Sequence, residues 1–231
     1  MLGLGEPLIA PLVPPPLRDD VMLLWALDRR FAELARTGKE PALRQIKLRW
    51  WSEQLAALSP GMVPSEPLLT LVGERLLGRI GAGELAALAD AWESEAVGEV
   101  DLSGARGVIL FGMTARLLGA GDADVAAAGR LWALVERGLV EGCLSDGVST
   151  SLDMSGNFSG SPLKSAHVEP FDCLAGAQDK LPPKGGSRDT VGLPRALAAL
   201  TALARSIAKR GGVRSRWREQ LVVFRVGLLG R

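Results

Sequence analysis

Apolar residues recur along this chain at intervals of three and four, and almost nowhere at intervals of two. Between Val21 and Arg36, Met22, Leu23, Ala26, Leu27 and Leu34 fall near a 3.6-residue period, with Asp19 and Asp20 as cap candidates and Thr37-Gly38 as a stop. Glu40-Pro41 opens a second helix, because proline is accepted in the first turn, and Leu43, Ile46, Leu48, Trp50, Trp51, Leu55 and Leu58 give it a broad apolar face before Pro60-Gly61. A short loop makes the two antiparallel neighbours. Ser65-Glu66-Pro67 starts a third helix that runs to Ile80. Further helices are predicted over 84–96, 102–118, 125–140, 194–209 and 214–229. The pattern predicts an all-α bundle of about eight helices, with Leu23, Leu27, Leu48, Trp51, Leu55, Val72 and Leu76 buried.

One window breaks the pattern. From Gly142 to Gly192 the text turns rich in Ser, Gly and Pro, Ala becomes scarce, and both Cys, the single His and the single Asn (Asn157) fall inside it. Two readings stand: a native disordered insertion or lid, or a segment read in a shifted frame and restored at Leu193. The expected organisation is an irregular leader over 1–17, helical bundle over 18–141, the irregular segment over 142–192, and C-terminal helices of the same bundle over 193–231.

Composition narrows the function classes. The chain has 231 residues and a net charge of +1, so no global field draws it to nucleic acid. Apolar residues make up 47%, yet no run approaches the roughly 18 residues needed to cross a bilayer. Glu6 stands where a secretory signal needs a basic region, and Pro11, Pro14, Pro15 and Pro16 interrupt any apolar leader. The expectation is a cytoplasmic protein. Cys143, Cys173 and His167 cannot make a four-ligand zinc site without carboxylates, and no nucleophile motif accompanies His167.

Chemistry concentrates in the first two helices. Three of the six Trp lie there, beside an acidic cluster and a basic one. Asp28 and Glu33 are five apart, about 140° around a helix, so they make no tight carboxylate pair; Arg29 is better placed to meet Glu33. A magnesium-diphosphate site needs carboxylates three or four apart on one face, because a hard cation requires several converging oxygens.

The order Leu24-Trp25-Ala26-Leu27-Asp28, then Glu40-Pro41, then Lys47-Leu48-Arg49-Trp50-Trp51-Ser52-Glu53-Gln54-Leu55 resembles the N-terminal part of squalene/phytoene synthase family proteins, as a divergent bacterial member with degenerate aspartate-rich motifs. The resemblance is best over residues 18 to 58. It implies an isoprenoid-synthase-like helical fold and a transferase that joins two prenyl diphosphates head to head. Magnesium held by two facing aspartate-rich motifs would draw off diphosphate, and an apolar cavity would shelter the carbocation.

Carried over by position, the resemblance makes Asp28 the metal ligand, and Asp28, Glu33, Arg49 and Trp50 the substrate-binding set. Ala32 stands where the second aspartate of the motif belongs. The facing motif is expected near the end of the sixth helix, where the text reads Val135-Glu136-Arg137-Gly138-Leu139-Val140-Glu141. The tyrosines of active members have no counterpart, because the chain has no Tyr. The expectation is therefore a protein of isoprenoid biosynthesis with weak or no coupling activity, magnesium being its cofactor only if active. The alternative is a non-catalytic scaffold or assembly factor of the same fold. A prenyl diphosphate or other isoprenoid lipid is the expected partner, with peripheral contact at the inner membrane through the last helix, where Arg214, Arg216, Arg218 and Arg225 stand beside Leu221, Val223, Phe224 and Leu228.

Overall fold

The computed structural model describes residues 9–62, 64–96, 104–121, 124–140, 193–209 and 216–229. The irregular segment 142–192 lies outside the described residues, as does Glu141 at the end of the stretch expected to hold the facing motif. Among the described residues every regular element is helical: a 3-10 turn at Ala10–Leu12 and helices α1 (Pro15–Arg36), α2 (Pro41–Ala56), α3 (Pro67–Arg75), α4 (Ala82–Ala96), α5 (Ala105–Leu117), α6 (Val125–Val140), α7 (Arg195–Lys209) and α8 (Arg216–Leu229). None is long and apolar enough to cross a membrane.

Helix α1 is the hub and touches α2, α3, α4 and α5, while α2 packs on α4, α5 on α6, α6 on α7 and α7 on α8. It begins at Pro15, ahead of the expected Val21, because Pro15 and Pro16 sit in the first turn where no amide is required. Asp19 and Asp20 consequently lie inside the helix and cap nothing. Asp20 instead accepts from Arg75 Nε at 2.8 Å and pairs with Arg79 at 3.5 Å, fastening α1 to α3 and the turn beyond it. The stretch ahead of α1 is ordered as well. Ile9 and Val13 are buried, and Arg18 donates to the carbonyls of Ala10 at 2.8 Å and Val13 at 3.2 Å, holding the 3-10 turn against α7.

Helix ends follow local chemistry. Glu66 caps α3 by accepting the Leu69 amide at 2.8 Å. Gly119, at φ 71°, closes α5: its amide bonds the Arg116 carbonyl and that of Ala120 reaches back to Ala115, the double bond of a Schellman cap.

The core joins α1 through α7. At its centre Trp25 packs against Phe111 and Trp132, with ring centroids 6.2 and 5.2 Å away, and its indole N–H donates to Thr114 Oγ1 at 3.1 Å. Leu27, Leu48, Trp51, Leu55, Val72 and Leu76 are buried as expected, and Leu23 is half-buried. The broad face of α2 divides. Leu48, Trp51 and Leu55 point inward at helical spacing, whereas Leu43, Ile46 and Trp50 are 52%, 63% and 42% exposed on the other side.

Helices α5 and α6 approach until their backbones touch. A Cβ on Gly107 would stand 2.0 Å from the Gly129 carbonyl oxygen, and one on Gly129 would stand 2.2 Å from that of Gly107. Only glycine fits at this crossing. The close approach brings the flanking side chains of both helices onto one point.

Candidate functional site

That point is the Arg106 guanidinium. On α5, Arg106, Leu110, Met113 and Leu117 form one inward stripe, so Arg106 enters the core with 1% of its surface exposed. On α1, Leu24, Asp28, Phe31 and Ala35 form another, and Asp28 turns inward, leaving Arg29, Arg30 and Glu33 on the surface. Asp28 is only 6% exposed, so it forms no part of the solvated acidic-basic face suggested by its neighbours in sequence.

Each nitrogen of the guanidinium meets a carboxylate from a different helix. Nη1 donates to Asp28 Oδ2 at 3.2 Å and lies 3.4 Å from Oδ1; Nη2 donates to Glu136 Oε2 of α6; Nε lies 3.4 Å from Glu95 Oε1 of α4. The Nε contact is an ion pair without hydrogen-bond geometry. Two indoles lie over the same group, with the guanidinium carbon 4.3 Å from the Trp92 ring centre and 4.9 Å from that of Trp132. The Trp92 N–H donates to Asp28 Oδ1 at 2.8 Å. Four helices thus converge on a single cation.

Three carboxylates outnumber the one guanidinium at their centre. Burial raises the Asp28 carboxyl above its ordinary 3.8; the Arg106 charge opposes this and Glu136 reinforces it. Burial likewise raises Glu95 above 4.5 against the pull of Arg106 and Arg137. For Arg106, burial favours the neutral form, but the combined charges of Glu136, Asp28 and Glu95 prevail and raise its pKa, so it stays charged.

Of the residues singled out in the sequence, only Asp28 is in this cluster. Glu33 is exposed and pairs with Arg30 at 3.6 Å. Arg49 is exposed and pairs with Glu53 at 3.4 Å and with Glu93 of α4 at 3.9 Å. Trp50 packs edge-on against Trp51, centroids 5.5 Å apart. The structure does not bring these three to Asp28. Glu136 lies in the stretch where the facing motif was expected, while Arg106, Glu95, Trp92 and Trp132 were not singled out in the sequence. Their signal was a charge on an apolar stripe, repeated as Trp92 with Glu95 on α4 and Trp132 with Glu136 on α6.

The donor set does not suit magnesium. A hard divalent ion needs about six oxygens in octahedral array, several of them water. Here the Asp28 oxygens face Nη1 and the Trp92 N–H, and indoles form the walls. Among the described residues no group of three or more His, Cys, Asp or Glu is arranged to hold a metal ion.

No curated protein and no solved structure matches the chain. Residues 6–97, a stretch that includes α1 to α4 with Asp28, Trp92 and Glu95, match the family model described as squalene/phytoene synthase, so over this part the chain is similar to that family of helical isoprenoid-synthase fold.

Proposed function

We propose that this protein is a squalene/phytoene synthase-like member of isoprenoid metabolism that acts as a non-catalytic helical scaffold and does not perform magnesium-dependent head-to-head coupling. One observation carries this reading: Asp28, the family's acidic position, is spent inside the bundle on Arg106 and Trp92. A carboxylate held this way is not offered to a metal-bound diphosphate. Freeing it would leave the Arg106 charge short of a partner in the core, a loss that buried pairs resist by about 3–5 kcal/mol.

Without a metal cluster to take charge from the leaving diphosphate, the barrier to ionisation rises by several kcal/mol, or on the order of a thousandfold in rate. Ala32 in place of the second aspartate acts in the same direction. The test is incubation of purified protein with magnesium and labelled farnesyl or geranylgeranyl diphosphate. The expected result is no head-to-head product above a protein-free control. Turnover at an ordinary enzymatic rate would overturn the reading and place the metal site on residues other than these.

A further inference from the structure

We infer that Arg106 is a tethered organic cation occupying a site built for one: with its side chain removed, Asp28, Glu95, Glu136, Trp92 and Trp132 form a receptor for a free guanidinium and not for magnesium. The inference rests on the proposed function, because it explains how the family's acidic position is used once metal is set aside. It also goes further, since it assigns a ligand chemistry to the cluster.

The arrangement matches a planar, weakly hydrated cation on every side. There is one carboxylate for each of the three nitrogens, and two indole rings lie over the group at 4.3 and 4.9 Å. Indole faces attract guanidinium groups and contribute nothing to a hard ion that keeps its own water. The covalent tether leaves one mismatch: Nε is buried and makes no hydrogen bond although Glu95 is 3.4 Å away. An untethered guanidinium can rotate to satisfy that third carboxylate, which an arginine anchored on α5 cannot.

The experiment is chemical rescue. Arg106→Ala strands two buried carboxylates, Asp28 and Glu136, leaves the half-buried Glu95 with only the charges of Arg137 and Arg36, and lowers the melting temperature. Low-millimolar methylguanidinium should then raise it by several degrees in a saturable manner, through mass-action linkage to the folded state. Magnesium or manganese chloride at matched ionic strength should not. The triple variant Arg106→Ala, Asp28→Asn, Glu136→Gln should lose the response to methylguanidinium, which separates the site from a general solvent effect. If Arg106→Ala does not fold in buffer, refolding from urea is followed by helical circular dichroism with each cation present. Recovery with methylguanidinium alone supports the inference; recovery with neither cation overturns it. A folded Arg106→Ala protein that ignores methylguanidinium, or that is stabilised more by manganese, also overturns it. Prenyl coupling by the wild type would instead overturn the proposed function, so the two failures are distinguishable.

Discussion

Replacing Gly129 with alanine tests whether the contact of α5 with α6 organises the centre of the molecule. The new Cβ would lie 2.2 Å from the Gly107 oxygen, 2.6 Å from its carbonyl carbon and 2.9 Å from Phe111 Cβ. Two of these are backbone atoms, so no rotamer change relieves the clash, and the helices must part by roughly 1 Å in a core packed at crystal density. Overpacking of this kind costs about 1–3 kcal/mol. The shift also draws Glu136 of α6 away from Arg106 of α5, and weakening this buried pair, which costs about 3–5 kcal/mol when broken outright, adds about 2 kcal/mol. Alanine's better helix propensity returns about 1 kcal/mol. The net expectation is a loss of about 2–4 kcal/mol.

Gly112 supplies the control on the facing helix, α5. A Cβ there meets nothing within 4 Å, so Gly112→Ala should gain about 0.5–1 kcal/mol. Urea unfolding followed by circular dichroism measures both, and each kcal/mol moves the melting temperature by about 2–4 °C in a chain of this size. If Gly129→Ala is as stable as Gly112→Ala, the backbone contact is not a constraint and the account of the cluster loses its scaffold.

Two further outcomes follow from burial and charge. Trp51→Ala should cost about 3–5 kcal/mol and Trp50→Ala about 1 kcal/mol in the same urea assay, because Trp51 is buried against Phe31 while Trp50 is 42% exposed and keeps only its edge-on contact with Trp51. Asp28 and Glu95 are raised on folding, so the native state binds more protons than the unfolded chain above pH 3.8 and 4.5 and stability falls as pH rises through their folded values. Glu84 is lowered through its bond from Arg116 and acts in the opposite sense on acidification, weakly because both side chains are exposed. Urea midpoints measured from pH 4.5 to 8 should therefore decline, and Glu95→Gln should flatten the decline; a midpoint that climbs with pH would contradict the directions given.

The helices were legible because α1, α5, α6 and α7 bury stripes that recur at three and four residues, and periodicity reports just such one-sided burial. Where a residue's type and its facing disagreed, the sequence misled. Pro15 and Pro16 suggest a leader but are compatible with a first helical turn, and Asp19 and Asp20 suggest caps but serve as partners for Arg75 and Arg79. Leu43, Ile46 and Trp50 are apolar without being buried, because α2 meets α4 and α1 along a single stripe. The cluster around Arg106 was hidden for another reason. Asp28 and Arg106 are 78 positions apart and Arg106 and Glu136 are 30 apart, so no local window holds both partners. A charged residue on a core stripe announces that a partner exists; only tertiary packing says which.

The clasp of Arg18 on the 3-10 turn has a bearing on synthesis. Leu12, just ahead of α1, packs beside Leu193 on the small cluster formed by Ala198 and Ala199 of α7 and Val223 and Val226 of α8. A nascent chain makes the turn early, but the surface that receives it leaves the ribosome only after Gly142 to Gly192 has been translated. Until then Ile9, Leu12 and Val13 wait beside a half-built bundle, with the interval spent in reach of chaperones and proteases. This closure joins segments far apart in the chain, and its rate is governed by the search of the 3-10 turn and the α7–α8 pair for each other across the intervening residues.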